Sequence, residues 1–252
     1  MCKAFSCIIE SNKKVTWKMG IDSHDHLLKI AGLPDDTLDP AQIRFCRIEI
    51  APKNGSYLEP DEWIFKIDMD VTPAWWTLDH KKACLEAHKK WLKELDKILV
   101  RKPIVHPFKI EPPKLITEEH LTLLREWTLV RDSVGVSVWV SVRASVGVSV
   151  WDSIWTSVGV SIWTSVGVSG WASVRDPVWD PVWAYYGSFF ALPRNEWKYT
   201  EEIKTDQYPF LSVVKLWEMG LVPSFDGNKW RLHAHKDARV VWEGELRQAG
   251  EP

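Results

Sequence analysis

Cys2 is the residue of this 252-residue sequence that could act most directly as a catalytic nucleophile. Methionine in front of a small residue is usually removed, which would leave the thiol of Cys2 beside its own free amine. An amino-terminal amine can serve as the base for such a nucleophile. The sequence therefore offers Cys2 as a candidate catalytic residue of a hydrolase, although a small residue at the start of a strand is the simpler interpretation.

A second set of residues has a spacing that metal ligands use. His80, Cys84 and His88 fall at i, i+4 and i+8, so they would share one face of a helix. The same face continues into Trp91 and Leu95. We therefore favour a buried core stripe over a metal site.

Two His-x-His pairs could also bind a metal, since such a pair points one way on a strand. These pairs are His24 with His26, and His233 with His235. The first falls in the opening turn of a predicted helix, the second runs into a charged KDAR segment, and neither has a visible third ligand. The sequence also has no phosphate-binding glycine loop and no GxSxG motif, so we expect no cofactor.

Composition excludes several classes of function. The 32 basic and 34 acidic side chains leave a formal charge of −2, which argues against a general nucleic-acid binder. No apolar run reaches the length of about 18 residues that a membrane span needs, and we expect no signal peptide. The four cysteines form no CxxC pair, which favours a reducing cytoplasm.

Tryptophan is unusually abundant, with 17 residues, and eight of them fall in one tandem array. Residues 131–182 form 13 tetrapeptides of the type RDSV GVSV WVSV, and the degenerate copies WTLV and WAYY extend the array to 127–186. Ser occupies the third position in 11 of the 13 copies and Val the fourth in 10. The first position holds Trp, Gly or Arg, which share no physical property, so we expect it to face solvent. Ser and Val are then the inward or corner positions.

The four-residue period predicts a β-solenoid. An α-helix would drift by about 40° per tetrad, and Val, Ser and Gly are mediocre or poor helix formers. Four residues equal two strand periods, so each tetrad could form one side of a coil. A flat sheet is the alternative, but its long edge would invite aggregation. Coils of 12 residues would stack Trp139, Trp151 and Trp163 in an outer ladder, and square coils of 16 residues are the competing size.

The segments on either side predict two α+β regions. Residues 1–111 form an amino-terminal domain with several strands and a helix over about 78–99. Residues 112–126 form a linker with a short helix, and 187–252 form a cap of one helix and two strands. The predicted fold is therefore mainly β with α+β flanks, in which a short β-solenoid over 127–186 is capped at both ends.

The stretches SHDHLLKIAGLPDDT, FCRIEIAPKNG, VTPAWWT and LWEMGLVPSFDGNKWRLH, set around an SVWDSV-type array, resemble an uncharacterised family of phage and bacterial proteins. The resemblance covers essentially the whole chain. It implies a phage-associated or mobile-element gene, and it brings no activity and no site residues. MCKAFSCII also resembles the start of N-terminal-cysteine amidotransferases, but Lys3 stands where those enzymes have Gly. The nearest structural analogy is the pentapeptide-repeat solenoid.

The function that these features favour is a non-enzymatic repeat scaffold that binds a protein partner or a second copy of itself. Exposed aromatic patches normally mark interaction sites. The predicted binding surface consists of Trp139, Trp151, Trp155, Trp163, Trp171, Trp179 and Trp183. One alternative is an enzyme with its site in residues 1–111 that uses the array as a spacer. Another is an ice-binding surface, which would need columns of Thr, but only Thr156 and Thr164 qualify.

Overall fold

The described residues of the tetrapeptide array are mostly helical, so the predicted mainly β fold with its β-solenoid is wrong. The structure is a computed structural model that describes residues 5–35, 42–53, 62–164 and 178–246. Within the array, helix α4 covers Arg131–Val146 and helix α5 covers Val148–Ile154. A π-helical turn at Trp155–Gly159 follows, and residues 160–164 are again α-helical. The predicted coil sizes of 12 and 16 residues are wrong for the same reason.

The drift that argued against a helix is small enough to be tolerated. Each tetrad advances the helix by about 40° beyond a full turn, so three steps from Val134 to Val146 sum to about 120°. A buried helical stripe is commonly at least about 100° wide, and all the fourth-position valines of α4 fit within it. They are Val134, Val138, Val142 and Val146, each fully buried. Their burial outweighs the weak intrinsic helix preference of Val, Ser and Gly.

Two irregularities in the helix correct the rotation of about 40° per tetrad before the fourth-position residues turn away from the core. Gly147 separates α4 from α5 with a φ of 84°, a left-handed conformation that favours glycine. The π-helical turn closes i→i+5 bonds, so each of its turns takes more residues than an α-turn. Beyond these breaks the fourth-position residues Ile154, Val158 and Ile162 are again fully buried. The prediction that the fourth position faces inward is therefore confirmed for the described copies.

The sequence analysis predicted that the first position of the tetrad faces solvent, but it does not do so in every described copy. Trp139 is 45% exposed, but Trp151 is only 4% exposed and Gly147 is buried. A Cβ atom added to Gly147 would lie 2.7 Å from the backbone oxygen of Gly20. A first-position residue can thus be fixed by close packing in one copy and open to solvent in another.

The described residues fall into two compact units. The first contains those up to Leu99 together with Val142–Ser157, and the second contains Val100–Ser141 together with those from Val158 onward. The predicted division at residues 111, 126 and 186 stays a prediction.

The first unit contains a four-stranded antiparallel sheet in the order β2-β1-β3-β4. Its strands are β1 (Phe5–Glu10), β2 (Val15–Thr16), β3 (Phe45–Ala51) and β4 (Ile64–Ile67). Central strand β1 is buried at five of its six residues, which fits its apolar sequence FSCIIE. The prediction of several strands in residues 1–111 is confirmed, and β1 pairs antiparallel with β2, with Ile9 opposite Val15.

Two helices of the first unit agree with the sequence analysis. Helix α1 (His24–Ala31) begins after Ser23 and ends at Gly32, whose φ is 71°. Helix α2 (Leu78–Ile98) begins after Thr77 and buries one stripe of its surface. The buried side chains of α2 are His80, Cys84, Ala87, His88, Trp91 and Leu95. The core-stripe interpretation of this helix is therefore confirmed.

The second unit combines helices with a three-stranded antiparallel sheet in the order β5-β6-β7. Three of its helices are α3 (Glu118–Thr128), α6 (Trp179–Gly187) and α7 (Leu211–Glu218). The strands are β5 (Val222–Phe225), β6 (Trp230–Ala234) and β7 (Arg239–Gly244). Strand β5 was not predicted; it contains Pro223, and proline is uncommon within strands.

No helix in the described part of the chain combines the length and the apolar composition that a membrane crossing requires.

Candidate functional site

Two adjoining cavities in the second unit form an open groove, which we call the Leu129 groove. The larger cavity has a volume of about 650 Å³ and the smaller of about 310 Å³. They share the lining residues Leu129, Val130, Glu202 and Ile203. One wall is the turn between α3 and α4, and the other is the loop that leads to α7. The groove is therefore built from helices and from one long irregular segment.

Leu129 and Tyr199 both line the smaller cavity of the groove, and both expose a large apolar surface. Leu129 is 76% exposed and Tyr199 is 57% exposed. Leu129 follows the last residue of α3 and occupies the third tetrad position, where Ser stands in 11 of 13 regular copies. Exposed apolar side chains that line a cavity mark a site for binding more specifically than scattered ones do.

Arg194 holds the loop that presents Tyr199. Its Nε donates to the carbonyl oxygen of Thr205 at 3.0 Å, and its Nη1 donates to Oγ1 of Thr200 at 2.7 Å. Its Nη2 donates to the carbonyl oxygens of Thr200 and Ile203, the latter at 2.7 Å. One planar guanidinium thus joins three points of the loop, a geometry that a single ammonium group could not reproduce.

Tyr199 itself has a φ of 59°, which is uncommon for a residue with a bulky side chain. The next residue, Thr200, is 1% exposed, and its hydroxyl donates to the carbonyl oxygen of Trp197 at 2.7 Å. The strained conformation at Tyr199 is therefore fixed by hydrogen bonds on its carboxyl side. Such conformations persist only where their surroundings determine them, and they concentrate at functional sites.

The array positions this loop through one of its serines. The backbone nitrogen of Lys198 donates to Oγ of Ser141 on α4 at 2.8 Å. The Ser141 residue is 1% exposed and occupies the third tetrad position. The repeat thus supplies both the helix and the hydrogen-bond acceptor against which the groove loop rests.

The charged side chains are distributed unevenly along the groove. Asp132, Glu201 and Glu202 line the smaller cavity, and no basic side chain of the described residues lines it. In the larger cavity, Glu126 and Glu202 are balanced by two lysines. These are Lys204 and Lys215. The end of the groove nearest Asp132 is therefore acidic, and the other end is mixed.

The predicted Trp surface divides into residues of different exposure. Trp139 and Trp179 are exposed, at 45% and 37%, whereas Trp151 is buried. The half-buried members are Trp155, Trp163 and Trp183, and Trp171 lies outside the described residues. The rings of Trp151 and Trp155 are parallel to within 9° at a centroid distance of 6.4 Å. Their spacing of four residues follows from the helix and replaces the expected twelve-residue ladder.

His80, Cys84 and His88 share one face of α2, but each meets different neighbours. His80 Nδ1 accepts hydrogen bonds from the Thr77 backbone nitrogen at 3.1 Å and from Thr77 Oγ1 at 2.8 Å, and its Nε2 donates to the carbonyl oxygen of Ser11 at 3.0 Å. His80 therefore caps the helix, and both of its ring nitrogens are occupied.

Cys84 packs against two other buried thiols, Cys7 on β1 and Cys46 on β3. Burial and the neighbouring Cys84 thiol raise the pKa of Cys7 well above its usual value, and burial raises the pKa of Cys46 to about 12. Thiols with a raised pKa are poor nucleophiles and poor metal ligands, because the reactive form is the thiolate. This cluster is part of the core.

His88 lies among aromatic rings at the other end of the stripe. Its ring centroid is 5.2 Å from those of Phe5 and Trp63 and 6.0 Å from that of Trp91. Burial lowers the pKa of His88 to about 4, so the imidazole is neutral near pH 7. Across the described segments, no three His, Cys, Asp or Glu side chains converge in a way that could hold a metal ion.

The first His-x-His pair is split between a buried and an exposed side chain. His24 is buried, with Nε2 at 3.1 Å from the carbonyl oxygen of Ile48 and Nδ1 at 3.5 Å from Oδ2 of Asp68. Burial lowers the pKa of His24, more strongly than these acceptors raise it. His26 lies two residues further along α1 and is exposed, so the two rings do not share a helix face.

His233 forms the arrangement closest to a nucleophile and base. The hydroxyl of Ser224 lies 2.7 Å from His233 Nε2, and His233 Nδ1 lies 2.9 Å from the carbonyl oxygen of Ala238. A proton on Nδ1 satisfies both bonds, and burial lowers the pKa of the ring. Ser224 and His233 are only 5% and 3% exposed, so the pair ties β5 to β6 and to the turn that contains His235. Substrate could not reach it without opening the sheet.

Sequence reasoning missed the residues that build the groove, namely Leu129, Ser141, Arg194 and Tyr199. The one available signal was Leu129, which breaks the serine pattern of the array. Arg194 and Tyr199 carried no signal, because their roles depend on carbonyl groups that only the folded loop brings together. Cys2, the candidate nucleophile, lies outside the described residues.

Comparison with protein-family models, with curated proteins and with solved structures found no match to this chain.

Proposed function

We propose that this protein is a non-enzymatic binding protein whose Leu129 groove receives a segment of a protein partner. The observation that carries the proposal is that two exposed apolar side chains, Leu129 and Tyr199, line the same open groove. Both side chains would lose most of their exposed apolar surface when a chain segment lies between them. Burial of such a surface is favourable by roughly 25 cal/mol per Å².

The groove suits a protein segment better than a small molecule. Small-molecule sites usually enclose most of the ligand surface. Here the two apolar side chains that define the walls are themselves more than half exposed. An extended segment that crosses the groove would cover both of them and reach the charged side chains along its length.

The groove is also preorganised for binding. Arg194 fixes the loop at Thr200, Ile203 and Thr205, and Ser141 holds it at Lys198. A surface that is already ordered loses little conformational entropy when a partner binds. The array therefore supports binding mainly by supporting this loop.

A selection from a random phage-displayed peptide library tests the proposal with the full chain as bait. Peptides enriched by the wild-type protein should lose binding to the double variant Leu129→Ser/Tyr199→Ser. They should keep binding to Leu115→Ser, since Leu115 is 77% exposed, belongs to the same unit and does not line the groove. Circular dichroism confirms that the variants fold. The proposal fails if no peptide is enriched, or if the double variant binds like the wild type.

We further propose that the protein works in the reducing cytoplasm. Cys7 and Cys84 lie within hydrogen-bonding distance in the core and are both free thiols. An oxidising compartment would favour a disulfide between neighbouring cysteines. Alkylation of protein denatured directly from its native source should modify all four cysteines without prior reduction, and fewer modified cysteines would contradict this setting.

A further inference from the structure

We propose that the partner segment carries a large apolar side chain beside an arginine, with the apolar group in the larger cavity of the Leu129 groove and the arginine in the smaller one. This inference rests on the proposed function and adds the chemistry and the orientation of the partner.

The acidic end of the groove indicates the cation. Every charged side chain that lines the smaller cavity is a carboxylate, whereas carboxylates and lysines balance in the larger one. A basic residue of the partner would therefore be attracted electrostatically to the smaller cavity and only weakly to the larger one. Complementary charge of this kind fixes the orientation of a bound segment more than it adds affinity.

The carboxylates of Glu201 and Glu202 are available for this role. Both are exposed, and neither forms an ion pair with any residue in the described ranges. Asp132, by contrast, already pairs with its neighbour Arg131 at 2.9 Å. The partner's cation would thus meet two glutamates without displacing an existing ion pair.

Tyr199 favours arginine over lysine. Tyr199 directly precedes the two glutamates in the chain, is 57% exposed and lines the same small cavity. A guanidinium can stack on an aromatic face while it donates two parallel hydrogen bonds to a carboxylate. An ammonium group can pair with a carboxylate but lacks the planar surface for stacking.

The larger cavity supplies the apolar contact. Leu129 and Ile203 line both cavities, and the larger one adds Pro209 and Leu211. An apolar side chain next to the arginine would therefore reach a continuous apolar wall. The two cavities adjoin, so adjacent residues of one extended segment can occupy both.

Three fluorescein-labelled synthetic peptides test the inference with the full chain by fluorescence anisotropy. Each has one Phe in a Gly-Ser frame, flanked by two Arg, two Lys or two Glu residues. We expect the Arg peptide to bind about five- to tenfold more tightly than the Glu peptide, and the Lys peptide to fall between them. The difference should shrink at high salt, since exposed charges are screened.

A charge-reversed protein provides the decisive comparison. In Glu201→Lys/Glu202→Lys, the preference should reverse in favour of the Glu peptide. The control Glu111→Lys/Glu245→Lys changes the net charge equally at exposed sites that do not line the groove, and it should keep the wild-type order. All variants are checked for folding by circular dichroism.

The outcomes separate this inference from the proposed function. Equal binding of the three peptides, lost in Leu129→Ser/Tyr199→Ser, would overturn the charge assignment and leave the groove as a binding site. Arg-peptide binding that persists in that double variant would place the site elsewhere and overturn the inference. The same holds if none of the peptides binds. If sedimentation shows a wild-type dimer that the double variant loses, the occupant is a second copy of the chain and the proposed partner chemistry is wrong.

Discussion

The backbone nitrogen of Lys198 donates a hydrogen bond of 2.8 Å to the hydroxyl oxygen of Ser141. This bond joins the middle of array helix α4 to the loop that forms one wall of the groove. Ser141→Ala would remove the acceptor of this part-buried hydrogen bond, so we expect the free energy of unfolding to fall by about 0.5–1.5 kcal/mol. Urea denaturation of both proteins measures the change.

Ser137 provides the matched control, because it occupies the same position in the preceding tetrad. It is fully buried, but its Oγ has no hydrogen-bond partner in the described structure. Ser137→Ala removes a desolvated hydroxyl and should therefore be neutral or slightly stabilising. Equal losses in both variants would contradict a specific role for the Ser141 bond.

Gly147 and Gly135 begin identical GVSV tetrads, yet alanine should have opposite effects at the two positions. Gly147 has a φ of 84°, and an added Cβ would lie 2.7 Å from the Gly20 backbone oxygen. Gly147→Ala should therefore cost about 2–4 kcal/mol through backbone strain and overpacking. Gly135 lies inside α4, where the nearest atom to an added Cβ would be 3.8 Å away on Trp183. Gly135→Ala should gain about 0.5–1 kcal/mol. Thermal or urea unfolding measures whether each substitution lowers or raises the free energy of unfolding.

His88 should make the protein less stable below neutral pH. Its pKa is about 4 in the folded state, because burial disfavours the charged ring, and about 6.5 in the unfolded chain. As the pH falls below 6.5, the unfolded state binds the proton first and is stabilised by it. We expect His88 to reduce the free energy of unfolding by about 2 kcal/mol between pH 7.5 and 5. His88→Phe should remove that part of the pH dependence, and unchanged curves would contradict the neutral, buried state.

Arg194 should control the order of the groove loop without controlling the fold of the second unit. Arg194→Lys removes the planar donor that binds Thr200, Ile203 and Thr205. We expect amide hydrogen exchange at Ile203 and Thr205 to become at least about tenfold faster, which corresponds to about 1.4 kcal/mol of local stability. Arg239→Lys, at an exposed position of the same unit, should leave these rates unchanged.

Ser224 should behave as a structural residue despite its bond to His233. Because the hydroxyl is 5% exposed, the native protein should not react with a fluorophosphonate probe. Ser224→Ala should lower the free energy of unfolding by about 1–3 kcal/mol, since His233 Nε2 would lose its partner in the core. Labelling of Ser224 in the native protein, absent in Ser224→Ala and His233→Gln, would instead show an activated nucleophile.

The flanking elements could be predicted because their signals are local. Ser23 and Gly32 bound helix α1, and the stripe of α2 repeats at helical spacing, so neighbouring residues alone define these segments. The array was harder to interpret. A four-residue period is compatible with a strand or a helix, and intrinsic propensities favoured the strand.

The groove could not be predicted, because none of its essential relationships is local. Arg194 acts through carbonyl groups up to 11 residues away, and Ser141 and Lys198 are separated by 57 residues. Tyr199 differs from the other described tyrosines in its backbone conformation and its exposure. Propensity and periodicity contain no information about either.

The sequence by itself determined the repeat, the inward direction of its fourth-position Val and Ile, and most of the helices and strands beside it. Tertiary structure decided that the described copies of the array are helical, because burial of Val134 to Val146 along one stripe outweighs weak helix propensity. It also decided that Gly147 packs too closely against Gly20 to accept a side chain, whereas Trp139 is exposed, although both occupy the first tetrad position. Equivalent positions of a repeat recur at a fixed spacing, but the surrounding chain differs from copy to copy, and that packing environment sets what each residue does.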